Sequence, residues 1–275
     1  MPELPEVETV RKQLLRNLQY KTIKSINIIH NNVFENQDIN EVKINIRNQT
    51  INDIKRRGKW LIFELDNYDL LSHLRMEGKY FYRKPNDKVE KHELVIFNID
   101  DTFELRYKDT RKFGKMYLVN KDDLYKNSPL TKLGLEPWDD NLTINYLKDK
   151  YKNKKLPIKT VLLDQSIITG IGNIYADEIL FLSKINPHKK CSELNDKELK
   201  LIIENTRNVL EKAIKEGGTT IRSYTSEEGV SGRFQNNLLV HNHEGDKCPI
   251  CKSIIIKTKV NGRGTYYCPK CQGEL

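Results

Sequence analysis

The chain has 275 residues, with 47 Lys and Arg against 38 Asp and Glu, a formal net charge of +9, and 37% hydrophobic residues. At roughly 100–200 residues per domain the length favours two compact units, and the supply of Leu, Ile, Val and Tyr excludes a wholly disordered chain. No stretch reaches the ~18 consecutive apolar residues of a membrane span, and the first 20 residues hold no apolar signal region, so a soluble, non-secreted protein without a membrane partner is expected.

Leu4, Val7, Val10, Leu14 and Leu18 step by three or four and predict a helix over about Glu3–Leu18, with Glu3, Glu6 and Glu8 near its positive end. From Lys21 to about Val119 the pattern becomes short β-rich runs: Ile23–Ile29, Trp60–Leu65, Lys79–Tyr82, Leu94–Ile99 and Thr102–Tyr107. Asp100-Asp101 between the last two predicts a hairpin, and repeated short strands after one helix predict a sandwich or barrel. The lysine-rich stretch 148–155, followed by Leu156-Pro157, is a candidate junction. Helical periodicity then returns in Val161–Gln165, Ile174–Leu182 and Asp196–Glu216.

Four of the five cysteines form Cys248-Pro-Ile-Cys251 and Cys268-Pro-Lys-Cys271, two C-x2-C pairs separated by 16 residues. That spacing fits a closed tetrahedral zinc site better than disulfides, and a ribbon this small needs such a clasp to fold. Cys191 is left as an ordinary thiol. The positive charge points to a polyanion but is equally compatible with a solvated lysine surface.

Three segments add specificity: Met1-Pro-Glu-Leu-Pro-Glu-Val-Glu8; Asp164-Gln165 with Gly170-Ile-Gly-Asn-Ile-Tyr-Ala-Asp-Glu178; and Gly264-Thr-Tyr-Tyr-Cys-Pro-Lys-Cys-Gln272. From end to end the chain resembles the bacterial formamidopyrimidine-DNA glycosylases. The resemblance implies an α+β protein: an N-terminal helix plus β-sandwich catalytic domain (1–135), a helix-two-turns-helix DNA-binding domain (136–237) and a zinc ribbon (238–275). It implies a cytoplasmic, nucleoid-associated monomer that acts on double-stranded DNA containing oxidised purines, with one structural zinc ion on Cys248, Cys251, Cys268 and Cys271.

The resemblance also implies roles for particular residues. Pro2, exposed by removal of Met1, is the nucleophile; a secondary amine attacking a sugar C1′ gives an iminium that is cationic without a further proton, a good electron sink. Glu3 is the proton donor and Glu6 supports the site. Lys59 contacts phosphate and serves as proton donor for elimination; Arg263, between two glycines, contacts phosphate and serves δ-elimination. Base eversion leaves a gap in the duplex that must be filled, and Met76, Arg111 and Phe113 match the void-filling residues. Lys159, Asn173, His73 and His92 match DNA-facing positions, and Thr219, Ile221, Arg222, Ser223 and Tyr224 match the lesion-capping loop. Departures from the family pattern are Thr110 and Lys112 in Asp-Thr-Arg-Lys-Phe-Gly, Leu135 and Trp138 in Leu133-Gly-Leu-Glu-Pro-Trp138, and Lys252 where glycine is usual. The alternatives are an endonuclease VIII-like enzyme for oxidised pyrimidines, disfavoured by Leu4 and the 217–224 loop, and a non-catalytic damage-binding protein, disfavoured by Pro2 and Glu3.

Overall fold

The computed structural model describes residues 1–219 and 233–273. These divide into two units, Met1–Thr131 together with Thr219, and Lys132–Gly218 together with the chain from Arg233 onward.

In the first unit, helix α1 (Leu4–Leu18) buries Leu4, Val7, Val10, Leu14 and Leu18, the stripe that its periodicity predicts. Strand β1 (Thr22–Ile28) follows, then a short helix α2 (Ile39–Ile46), β2 (Gln49–Thr50), β3 (Asp53–Arg57), β4 (Trp60–Glu64), β5 (Tyr68–His73), β6 (Lys79–Arg83), β7 (Glu93–Ile99), β8 (Phe103–Lys108) and β9 (Lys115–Asn120). The strands form two antiparallel sheets, ordered β2-β1-β7-β8-β6 and β3-β4-β5-β9. Their inner faces share one core with α1 and α2. The β7–β8 connection turns at Asp100 and Asp101, both left-handed (φ 52° and 55°), as a tight hairpin demands. Helix α2 escapes the pattern because only Val42 and Ile46 are buried in its eight residues.

In the second unit, α3 (Ile144–Tyr151), α4 (Ile158–Leu162), α5 (Asn173–Leu182) and α6 (Asp196–Lys215) share a second core. The stretch 148–155 begins as the last turn of α3, whose Leu147 and Tyr151 are buried, and runs on past its end. Lys148 in the helix, Lys152 at its cap and Lys154 beyond it lie against Asp196, Asp149 and Asp164. The α4 turn starts at Ile158, three residues before the predicted start, because Pro157 opens the helix rather than interrupting one. Helix α6 begins on a reciprocal cap between Asn195 and Glu198.

The chain ends in a hairpin, β10 (Ile256–Val260) and β11 (Arg263–Tyr267), and a short turn α7 (Pro269–Gln272). Its small core includes Val240, Cys248, Ile255 and Cys268 and borrows Phe181 from α5. A second tie is the buried Glu178 carboxylate of α5, which accepts the backbone N–H groups of Leu239 (2.8 Å), Val240 (3.0 Å) and His241 (2.9 Å). Burial holds the Glu178 carboxyl above its usual range even against those three donors. Among the described residues no helix is long and apolar enough to cross a membrane.

Candidate active site

In the first unit the functional residues gather around the start of α1. Pro2 is half-buried, whereas Glu3 and Glu6 are buried. The Glu3 backbone N–H donates to Glu6 Oε2 (2.8 Å), which fixes the residue next to Pro2. Glu6 Oε1 accepts both the N–H (2.8 Å) and the hydroxyl (3.0 Å) of Thr219. One carboxylate therefore joins the helix start to the head of the 219–224 segment. The Thr219 hydroxyl is a donor to Glu6, and its oxygen keeps accepting capacity. Ile221, Arg222, Ser223 and Tyr224 lie outside the described residues.

Lys59 is 5% exposed and occupies the turn between β3 and β4. That turn is held to α1 by Glu8, which sequence reasoning left without a role. Glu8 pairs with Arg11 (2.8 Å) and with Arg56 (3.1 Å), and Arg56 donates onward to the Gly58 carbonyl (3.1 Å). Burial pushes the Glu8 carboxyl up, but Arg11 and Arg56 outweigh it and hold it below the usual range. A Glu8 that lies 48 residues before Arg56 carries no sequence signal for this link; only the packing of α1 on β3 reveals it.

His73 ends β5 with its ring edge-on to Trp60, 4.8 Å between centroids. Burial, then Arg75 and Lys59, depress its pKa to about 3. It is neutral at physiological pH, and since its Nδ1 accepts the Arg75 N–H (3.0 Å), Nε2 carries the proton. Any contact with DNA from His73 is therefore a neutral hydrogen bond and not a charge. His92 is half-buried in a left-handed conformation (φ 71°), and its carbonyl accepts from the Asp109 N–H (3.0 Å).

Met76 and Phe113 are exposed on two neighbouring loops, 37% and 49% accessible. The Arg111 guanidinium, also exposed, lies 4.7 Å from the Phe113 ring centroid. Large apolar side chains held in water beside a cation mark a surface that meets a partner.

In the second unit Lys159, Asn173 and Arg263 converge, but not as expected. Lys159 is fully buried, its ammonium 2.7 Å from Asp177 and donating to the Gly264 carbonyl (2.8 Å) and Thr265 Oγ1 (2.9 Å). Its ammonium is turned into the protein: a buried ammonium requires a counter-charge and acceptors, and the protein supplies them from α5 and the hairpin. Asn173 is the first residue of α5, and its side-chain amide also donates to the Gly264 carbonyl (3.0 Å). Lys159 and Asn173 thus grip the residue after Arg263, which is exposed at the hairpin tip. The tip is a tight turn at Asn261 (φ 46°) and Gly262 (φ 77°). Asp177 also takes His241 Nδ1 (2.7 Å) and the Tyr266 N–H (3.3 Å). Asp177 and Glu178 stand in the motif that identified the helix, yet sequence reading gave neither a task.

The four sulfur atoms of Cys248, Cys251, Cys268 and Cys271 lie within 4.8 Å of one another. Burial, then the neighbouring thiols, raise Cys271 to about 12, while bonds from Ser253 first lower Cys251 to about 6. Such a cluster cannot become four thiolates without a cation at its centre, the chemistry a zinc site provides. Lys252, where the family has glycine, is left-handed (φ 65°), which explains why glycine suits that turn.

Residues 1–116 match the family pattern described as Formamidopyrimidine-DNA glycosylase N-terminal domain, 133–225 the Formamidopyrimidine-DNA glycosylase H2TH domain, and 245–273 the Zinc finger found in FPG and IleRS. The chain is 46% identical to the formamidopyrimidine-DNA glycosylase of Oceanobacillus iheyensis over 99% of this chain and 98% of that one. It is 44% identical to that of Bacillus anthracis over the whole of both. Among solved structures, a Lactococcus lactis FPG mutant in complex with a Fapy-dG containing DNA superposes with a TM-score of 0.93 at 38% identity, covering 99% of this chain and 100% of that one. The Lactococcus lactis Fpg bound to abasic site containing DNA gives 0.92 at 38% identity, with the same coverage.

Proposed function

Since the chain belongs to the formamidopyrimidine-DNA glycosylase family, we propose that this DNA glycosylase of base excision repair removes oxidised purines, 8-oxoguanine and formamidopyrimidines, from duplex DNA and then cuts the strand. The observation that carries the reading is the start of α1: a half-buried Pro2 directly before a buried Glu3 whose backbone is fixed by Glu6. Once Met1 is removed, the Pro2 nitrogen attacks C1′ as the C1′–N bond to the base breaks, and Glu3 is the acid/base group within reach of that chemistry. Opening of the sugar ring, with the C1′–O4′ bond broken and O4′ protonated, leaves the iminium; loss of the C2′ proton turns it into an enamine, whose electron pair expels the 3′ phosphate and restores a conjugated iminium. Loss of the 5′ phosphate by δ-elimination completes a one-nucleotide gap, with Lys59 and Arg263 as the cations beside the departing phosphates.

Met76 and Phe113 fill the space left by the everted nucleotide, and Arg111 donates to the orphan base, best to the acceptor edge of cytosine. Cys248, Cys251, Cys268 and Cys271 hold one structural zinc ion, which closes the ribbon and takes no part in the chemistry. The enzyme works as a monomer in the compartment that holds the chromosome.

Borohydride trapping on an 8-oxoguanine duplex tests the reading. Protein with Met1 removed forms a covalent adduct, and Pro2→Gly loses most of it while still binding the lesion; an undiminished adduct from Pro2→Gly overturns the nucleophile assignment. One observation favours a second substrate class: the wild-type Lactococcus lactis Fpg has been solved with an oxidized pyrimidine containing DNA, with a TM-score of 0.91 to this chain at 38% identity. Excision of thymine glycol in clear preference to 8-oxoguanine would place the enzyme there instead.

A further inference from the structure

The loops that carry Met76, Arg111 and Phe113 are the two corners where the chain crosses from one sheet to the other. One runs from β5 to β6, the other from β8 to β9, and because β5 pairs with β9 and β6 with β8 the two corners lie side by side. Each ends on a glycine, Gly78 or Gly114, and neither glycine has a positive φ. Space requires them. A Cβ at Gly78 would lie 2.3 Å from the Tyr107 hydroxyl oxygen, and one at Gly114 only 1.7 Å from it. The fully buried Tyr107 side chain is therefore wedged by its hydroxyl between the backbones of both corners.

Other contacts bind the same pair of loops. The fully buried Asp109 carboxylate accepts the N–H groups of Arg111 (3.0 Å), Phe113 (2.9 Å) and Gly114 (2.8 Å), so one corner is wound about a single side chain. Thr110, where the family has proline, gives its hydroxyl to Glu77 of the other corner in a short hydrogen bond. Arg75, before Met76, and Lys112, between Arg111 and Phe113, are both left-handed (φ 51° and 57°), conformations that persist only where the surroundings impose them. Behind the wedge the Tyr80 ring packs tilted against Tyr107, 5.2 Å between centroids, and Tyr80 donates its own hydroxyl to Ser72 of β5 (2.7 Å).

We propose that Tyr107 is a positioning and specificity-determining residue: its hydroxyl sets the spacing of the two corners, so that Met76 enters the duplex in fixed register with Arg111 and Phe113. The proposal rests on the reading that these three residues fill the void. It assigns Tyr107 a task that neither its β-strand position nor its burial would suggest. Register matters because a donor must meet the orphan base within hydrogen-bonding distance, and a displacement near 1 Å suffices to lose about tenfold or more in rate.

Tyr107→Phe is the test, since it removes only the wedge atom and leaves the ring in the core. On 8-oxoguanine duplexes its kcat/KM is expected to fall about tenfold, and its preference for cytosine over adenine opposite the lesion to shrink about fivefold. Borohydride trapping on a single-stranded abasic oligonucleotide, which has no void to fill, is expected to stay within about twofold of the unsubstituted enzyme. In the Gly114→Ala background, Tyr107→Phe deletes the atom at 1.7 Å but keeps the ring carbon Cζ at 2.8 Å, so it is expected to restore only a small part of the lost duplex activity. It is expected to restore none in Gly78→Ala, where the Leu74 carbonyl at 2.6 Å remains. Met76→Ala and Arg111→Ala separate the two ideas. If they weaken opposite-base preference while Tyr107→Phe does not, the positioning role is wrong and the void-filling reading stands. If they too leave the preference intact, both fall. Equal losses on single-stranded and duplex DNA for Tyr107→Phe also overturn the positioning role.

Discussion

Lys159→Met separates a buried structural cation from a DNA contact. The ammonium it removes contacts Asp177 at 2.7 Å and donates to Gly264 and Thr265 at 2.8 and 2.9 Å, with both charged side chains fully buried. Removing one partner of such a pair leaves an uncompensated carboxylate, a loss of about 3–5 kcal/mol, or roughly a thousandfold in the unfolding equilibrium at ~4 kcal/mol. Lys159→Met/Asp177→Leu removes that stranded charge and should recover part of the loss. Recovery stays small, because His241 Nδ1 and the Tyr266 N–H then lose their acceptor, at about 1–3 kcal/mol each. The two tryptophans fall one in each unit, so Trp60→Phe leaves Trp138 as a fluorescence reporter of the second unit during denaturant unfolding. DNA binding supplies an independent readout. Arg263→Ala should reduce the salt slope of binding by about 0.9, one phosphate contact, and adding Lys159→Met to it should reduce the slope no further. A further fall of about 0.9 in that background, with less than ~1 kcal/mol lost in stability, would refute the buried role and return Lys159 to the DNA face.

Cys248→Ser, or prolonged chelation, should release one zinc per chain and abolish duplex binding while leaving unfolding of the first unit unchanged; elemental analysis and a binding isotherm check both, and retained zinc with unchanged affinity refutes the site. Glu6→Gln puts an amide where Oε1 and Oε2 accept from Thr219 and the Glu3 N–H, and should destabilise the first unit by about 1–3 kcal/mol; an unchanged thermal midpoint counts against the link. His73 supplies a pH dependence. Its pKa is about 3 folded against 6.5 unfolded, so the unfolded chain binds the extra proton between those values, and stability contributed by the neutral ring, full above 6.5, falls as pH drops toward 3. His73→Phe should flatten the thermal midpoint over pH 6.5 to 4.

Much of the fold was legible because long-period signals dominate it. The α1 stripe repeats one rule over many residues, the Asp100-Asp101 hairpin is a turn signal complete in two, and the resemblance supplied the cysteine clasp and the α5 motif with their context. What escaped depends on pairings distant in sequence. Glu8 meets Arg56, Glu178 meets residues 239–241, and Lys159 meets Gly264, separations of 48, 61 to 63 and 105 residues. No local pattern distinguishes a lysine that will be buried from one that will be solvated. The α4 shift has a different cause: Pro157 fits a helix start as well as a helix break, and only the buried Ile158 and Val161 decide between them.

The same point changes what a net charge of +9 says about DNA. Lys159 is turned inward, Arg106 is buried against Glu93 and Glu104, and Lys148, Lys152 and Lys154 lie against aspartates. A paired cation adds little field at the surface, since its partner cancels it within a Debye length of about 8–10 Å. On the function proposed above, steering toward the duplex falls to cations such as Arg111 and Arg263, which stand exposed on their loops. Removing a whole pair, as in Lys152→Ala/Asp149→Ala, should leave the association rate nearly unchanged at low salt, whereas Arg263→Glu should slow it severalfold. Equal effects from both sites, measured by stopped flow at two salt concentrations, would mean that the overall charge, and not its placement, guides this enzyme to DNA.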